Sequence, residues 1–394
     1  MNIVADIRQH LKGDRAIWLI TGVLGIFSLL VVYSAAGSEP FKNTGDSSEF
    51  FLVKQIAFIC AGFAVTYICY NLHYMQYSRF APMLLAIAVP LLLFTFFFGA
   101  EINGAKRWAI IPWIQVSFQT SDFAKLALIV FMARALSTRQ DYIKNFKSAF
   151  VPIILPVTFI CLLIVPSDLS TGVLLFFTCL LMMFIGRVSL KYIGLLILVG
   201  LIGFLAIWAL GEIFPDLMIM RDTTWQSRID SFIAGEGYQQ EQSKIAIANG
   251  GWFGVGPGNS FQRNYIPYSY ADFIYAIICE EYGLIGGFAI LGLYFWLLWR
   301  CIGIVTRCPK AFGAILAMGL CLNIVIQAFA NIAVSVQLVP ATGLTLPLVS
   351  MGGTSIIFTC ISLGIILSVS RYVEEAQLQH IELTDLESRD ANSM

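Results

Sequence analysis

The chain has 394 residues, 58% hydrophobic and 12% charged, with 24 basic residues against 24 acidic ones and a mean hydropathy of +0.79. Soluble domains carry roughly 25% charged residues, so about half the charge needed to coat a soluble surface is missing. The composition excludes a cytoplasmic enzyme, a nucleic-acid binder and a disordered chain, and it demands lipid as solvent.

About twenty apolar residues cross a bilayer as a helix. Runs of that kind fall at 16–36, 50–70, 79–99, 118–136, 150–166, 169–186, 190–211, 271–300, 311–337 and 350–372. They lack the alternation of barrel strands, and hydrocarbon tolerates no unpaired backbone. The expectation is an all-α polytopic membrane protein of about ten transmembrane helices. Basic residues mark the cytoplasmic side. They gather at Arg8, Lys12 and Arg15, between Arg134 and Lys147, at Arg187 and Lys191, and from Arg300 to Lys310. This places both termini in the cytoplasm. The predicted organisation is a cytoplasmic N-terminus at 1–15, a transmembrane domain over 16–372 with a large outer loop at 212–271 between helices seven and eight, and a cytoplasmic tail at 373–394. Ser34-Ala35-Ala36 resembles a signal-peptide cleavage site, but the preceding apolar run is too long for one.

Seven of the nine cysteines fall within the spans and Cys301 and Cys308 at a cytoplasmic edge, so they read as small apolar fillers rather than a disulfide framework. His10, His73 and His380 all face the cytoplasm in this topology. Proton transfer on the outer side then falls to Asp, Glu, Lys or Tyr.

Two outer segments concentrate polar residues. In 100–125, Lys106 and Arg107 stand side by side between apolar neighbours, followed by Trp108, Trp113, Asp122 and Lys125. Tryptophan is ordinary at an interface. Two adjacent cations on the side that positive charge avoids suit either headgroup snorkelling or a surface anion such as a lipid phosphate or pyrophosphate. The second segment is the outer loop, with Asp216, Arg221, Asp222, Arg228, Asp230, Glu236, Glu241 and Lys244, then the glycine-rich stretch Gly250–Ser260. No strand precedes those glycines and no GK[ST] follows, so the expectation is a turn whose backbone approaches another segment closely. Asp272 sits where the loop re-enters the membrane, and Glu280 and Glu281 follow two turns deeper. A carboxylate at such a place is a functional candidate by default. Asp168, after Pro166 at a tight hairpin, reads equally well as a helix N-cap.

The ordered motifs INGAKRW, SFQTSDFAKL, PSDLSTG, GYQQEQSKIAIANGGWFGVGPGNS, ADFIYAIICEEYGLIGG and LVPATGLTLPLVSMGGTS resemble those of the SEDS (shape, elongation, division and sporulation) family, the FtsW/RodA type, over about 16–372. EINGAKRW and VSMGGTS are closer to its FtsW than to its RodA branch. The resemblance implies an inverting peptidoglycan glycosyltransferase in the bacterial inner membrane. It would polymerise lipid II, an undecaprenyl-pyrophosphate disaccharide-peptide, on the outer face, with no nucleotide or haem. Asp272 would be the catalytic carboxylate with Lys125 as its ion-pair partner. Arg107 and Lys106 would hold the pyrophosphate. Asp168, Glu281, Gln327, Asn331, Ser350 and Ser355 match further family positions, and Asp272 is the implied ligand if a magnesium or manganese ion assists. Partners implied are a class B penicillin-binding protein transpeptidase and division proteins. The chain departs from the pattern at Tyr268, where the family has Glu, at Ala271 for Thr, at Asp122 for Glu, and at Ser167, which lacks the usual Gln-Pro. The competing functions are a lipid II flippase, since ten spans with buried charge also suit a transporter, an elongation-type polymerase, and a catalytically inert division scaffold.

Overall fold

The structure, a computed structural model, describes residues 12–36, 48–102, 105–111, 116–213, 228, 232–234 and 237–392. Each of the ten predicted apolar runs is a helix: α1 (Arg15–Ala35), α2 (Ser48–Asn71), α3 (Met75–Phe98), α4 (Thr120–Thr138), α5 (Val151–Ile164), α6 (Leu169–Ile185), α7 (Leu190–Ile213), α9 (Ile274–Arg307), α10 (Ala311–Ser335) and α11 (Thr354–Asn392). An additional helix, α8 (Tyr238–Gly250), lies in the predicted outer loop. Among the described residues, seven stretches are long and apolar enough to cross a membrane: α1, most of α2, α3, α5 with the turn before it, α9, α10 and the first part of α11. α6 and the stretch Leu190–Gly203 of α7 are shorter apolar helices. α4 carries Asp122, Lys125 and Arg134, yet most of its residues are buried by neighbouring helices. Protein rather than lipid surrounds it, which is what lets a helix hold charge at that depth. The charged loop positions 216, 221, 222, 230 and 236 lie outside the described residues.

Two features are not in the helical reading. Between α3 and α4 runs a three-stranded antiparallel sheet of β1 (Ala100–Ile102), β2 (Ala105–Ile111) and β3 (Val116–Gln119). α11 continues past the predicted span to Asn392. Within the bundle α11 packs on α2, α4 on α3 and α10, and α9 on α8 and α10. Small residues permit close crossings: a Cβ on Gly364 of α11 would lie 2.6 Å from the Thr66 carbonyl oxygen of α2. All nine cysteines are free thiols. At the end where α1 begins, Asp14 caps that helix through the Ala16 N–H at 2.9 Å and binds Arg300 of α9 at 2.6 Å.

The glycine-rich loop approaches a break in α9. Gly283 sits at φ 70°, ψ −175° inside the helix, a region open essentially to glycine alone. The break leaves backbone groups unpaired, and the loop pairs them. Val255 and Gly256 N–H donate to the carbonyls of Glu280 and Glu281 at 2.9 and 3.0 Å, while Leu284 and Ile285 N–H donate to Gly251 and Trp252 at 2.9 and 3.3 Å. Below the break α9 still runs about 36 Å to Arg307 at 1.5 Å per residue, enough to cross a bilayer. A Cβ on Gly283 would stand 2.2 Å from the Trp252 carbonyl oxygen, and one on Gly254 2.1 Å from that of Glu281. Gly283→Ala therefore separates the glycine-rich loop from the helix and costs roughly 3 kcal/mol or more, from overpacking and the positive φ together. Thermal unfolding of the purified protein reads this directly, and an unchanged midpoint contradicts the account.

Candidate active site

At one end of the bundle, where α2, α4, α6, α9 and α11 begin and α10 ends, lies a cavity of about 910 Å³. Its lining includes Asp272, Lys125, Asp122, Asp168, Gln327 and Ser355, with Trp108, Tyr268 and Tyr270. The structure thus brings Asp272, Lys125, Asp168, Gln327 and Ser355 to one space. The backbone of Lys106 and Arg107 lies on β2 next to Trp108, and their side chains lie outside the described residues. Glu281, Asn331 and Ser350 are buried away from the lining.

Lys125 is 6% exposed and Asp122 5%. They sit one turn apart on α4, with Lys125 Nζ 2.8 Å from Asp122 Oδ1. This pair, rather than one to Asp272, is the salt bridge Lys125 makes among the described residues. Nζ also donates to Gln327 Oε1 at 3.3 Å, and Gln327 Nε2 donates to the Thr345 carbonyl at 3.0 Å. An ammonium has three donors, so one remains for the cavity. Asp168 caps α6, its Oδ1 accepting from the Thr171 N–H at 3.0 Å, as its place after the hairpin proline suggested.

Asp272 is held through its backbone. Three successive carbonyls each meet a different donor: Tyr270 the Met351 N–H at 3.0 Å, Ala271 the Ser350 hydroxyl at 2.6 Å, and Asp272 the Asn331 amide at 2.8 Å. Asn331 also donates to the Leu344 carbonyl at 2.7 Å, and Ser350 accepts from the Leu346 N–H at 2.8 Å. These two residues, matched to family positions by sequence, therefore fix where Asp272 sits. On its other side, a Cβ on Gly343 would lie 3.7 Å from Asp272 Oδ2, so the segment 343–345 lies close against the carboxylate. The turn into Asp272 starts at Tyr268, whose φ of 56° is uncommon for a bulky residue and whose carbonyl accepts from the Ala271 and Asp272 N–H groups. Burial, with Tyr268 and the Asp272 charge adding, pushes the Tyr270 phenol up to about 12, which keeps it a neutral hydrogen-bond donor beside the site.

Glu280 and Glu281 serve the loop instead. Glu280 accepts from the Ser260 hydroxyl and from the Phe261 and Gln262 N–H groups, the latter two at 3.3 Å. Glu281 accepts from the Ser34 hydroxyl of α1, and Arg263 donates to the Ser34 carbonyl at 2.9 Å. Both carboxylates thus tie the segment after the glycines to α9 and α1.

Among the described residues no three acids, histidines or cysteines converge as a metal site would require. Asp122 is neutralised by Lys125 and Asp168 caps a helix. These residues do not build a resident cage. A magnesium or manganese ion would have to complete its shell with a substrate's phosphate oxygens.

A family model described as "Cell cycle protein", covering FtsW, RodA and SpoVE, matches residues 14–375. "Stage V sporulation protein E" of Bacillus subtilis (strain 168) is 35% identical over 365 residues, covering 91% of this chain and 97% of that protein. A "Probable peptidoglycan glycosyltransferase FtsW" of Alkalilimnicola ehrlichii is 37% identical over 369 residues, covering 91% and 90%. Among solved structures, a chain from "Structural coordination of polymerization and crosslinking by a peptidoglycan synthase complex" superposes with a TM-score of 0.73 at 24% identity, covering 92% of this chain and 98% of that one. The rod shape determining protein RodA of Thermus thermophilus superposes with a TM-score of 0.65 at 23% identity, covering 91% and 97%. At those identities the solved structures show the fold.

Proposed function

Because the chain belongs to the FtsW, RodA and SpoVE family of cell cycle proteins, we propose that this integral membrane protein is a peptidoglycan glycosyltransferase that polymerises lipid II on the outer face of the bacterial inner membrane, with both termini in the cytoplasm. The observation that carries the reading is the cavity of about 910 Å³ in which Asp272 shares one space with Lys125, Asp122 and Asp168. The relatives named peptidoglycan glycosyltransferase support it.

In the reaction, Asp272 takes the proton of the acceptor's sugar hydroxyl as general base, and the oxygen attacks the anomeric carbon of the donor with inversion. The bond from that carbon to the pyrophosphate oxygen breaks, and the lipid pyrophosphate leaves. A base of this kind contributes about 10²–10⁴-fold. The leaving group is already activated, so no nucleotide is consumed. Lys125, fixed by Asp122 and Gln327, offers its remaining donor to the anionic substrate, and Arg107 and Lys106 neutralise the pyrophosphate as charge develops. The partner is a class B penicillin-binding protein that cross-links the new strand. A solved relative comes from a complex described as coordinating polymerization and crosslinking. We assign the activity to septal wall synthesis among division proteins, a reading supported by the relatives named FtsW.

The test is polymerisation of fluorescent lipid II by the purified protein with and without its cognate transpeptidase. Glycan made in detergent micelles, which have no sides, requires bond formation. Lipid II left unchanged under all conditions would contradict the polymerase and leave the flippase and the inert scaffold.

A further inference from the structure

The cavity has two walls of different chemistry. One is the polar set around Asp272. The other is a face of α2, where Phe50, Val53, Ala57 and Phe58 meet the cavity at helical spacing together with a single cation, Lys54. Phe50 and Val53 are 53% and 64% exposed, so this wall is continuous with the surface that faces lipid. Lys54 lies six residues inside the start of α2, about 9 Å at 1.5 Å per residue. Lys125, which lines the same cavity, lies five residues or about 8 Å inside α4. Among the described residues Lys54 makes no ion pair, although the cavity it lines also holds Asp122, Asp168 and Asp272. Lys54 is exposed and lines the cavity, and an ammonium open to a cavity within a span is a place for an anionic ligand. A molecule entering from lipid along this face meets an apolar wall first and an ammonium next. That order suits an isoprenoid chain ending in phosphate.

We propose that Lys54 binds a phosphate of the lipid-linked substrate, and that the α2 face around it is the wall along which the isoprenoid chain lies. The proposal rests on the glycosyltransferase reading above. Joining two lipid-linked sugars brings two pyrophosphates to one cavity. The Lys106–Arg107 pair on β2 is one cationic group, and Lys54 supplies a second from a different element. A lysine that only snorkels to headgroups makes the same contact with any anionic lipid, so membrane composition separates the two cases.

The experiment uses the full-length protein with its cognate transpeptidase in nanodiscs, of zwitterionic lipid alone or with added phosphatidylglycerol. Lys54→Gln and Lys54→Met are expected to raise KM for lipid II about tenfold or more in both membranes, the effect of losing one charge-assisted contact, with kcat held within about twofold. Lys54→Arg keeps both constants near those of the unaltered protein. Inhibition by polyprenyl pyrophosphate weakens in proportion, while inhibition by the uncharged polyprenol does not change. An unchanged KM in both variants, an effect confined to the anionic membrane, or a fall in kcat at constant KM would overturn the assignment. If the unaltered protein makes no glycan, the glycosyltransferase reading fails. Direct binding of polyprenyl pyrophosphate to the Lys54→Gln variant then still decides the role of Lys54.

Discussion

Asp272→Ala and Asp272→Asn leave the protein folded and inserted and lower lipid II polymerisation about 10²–10⁴-fold, the contribution of a positioned general base. Stability is largely preserved because three grips on this segment act on its backbone: the Met351 N–H, the Ser350 hydroxyl and the Asn331 amide hold the carbonyls of residues 270, 271 and 272 whatever side chain stands at 272. The Asp272 side chain faces the cavity, so its removal opens space without stripping the core. Asp272→Glu keeps the charge but moves it by one methylene, and a displacement of about 1 Å costs on the order of 10²-fold. The measurement is polymer yield from purified variants with the transpeptidase present, alongside their thermal unfolding. Full yield from Asp272→Ala would remove the base from the mechanism.

Much of this architecture is legible in the sequence because lipid imposes one rule on every span. The ten apolar runs each became a helix, including α4, which its charges keep out of the set of strongly apolar stretches. The sheet at 100–119 was not legible, since strands of three to seven residues between two spans leave little alternation to read. The close approach of the glycine-rich loop could be anticipated, but not its target. Gly283 lies inside an apolar run, and only the loop's hydrogen bonds to residues 280–285 reveal the break. At the site, residue type was enough to single out Asp272, Lys125 and Asp168. The tasks of Asn331 and Ser350 were hidden because their partners are backbone carbonyls 59 and 79 positions away. Lys54 escaped notice for a related reason: one lysine near a helix start reads as snorkelling until a cavity is seen beside it.

The buried pair on α4 carries the largest expected effect on stability. Lys125→Met leaves Asp122, 5% exposed, without its counter-charge, and Asp122 Oδ2 already lacks a hydrogen-bond partner among the described residues. Removing one member of a buried ion pair costs about 3–5 kcal/mol, so a marked drop in the unfolding midpoint is expected, together with loss of polymerisation. The double variant Lys125→Met/Asp122→Leu separates the two consequences. Two apolar side chains of similar volume within a helix buried on most sides recover most of the lost stability, because desolvating two charges offsets much of their attraction. Activity does not return, since the ammonium that meets the substrate is gone. A double variant as unstable as the single one would mean that α4 depends on this pair for its packing. A double variant that polymerises lipid II would mean that the cavity needs no cation at this position, and the charge-neutralising role given to Lys125 would pass to Arg107 and Lys106.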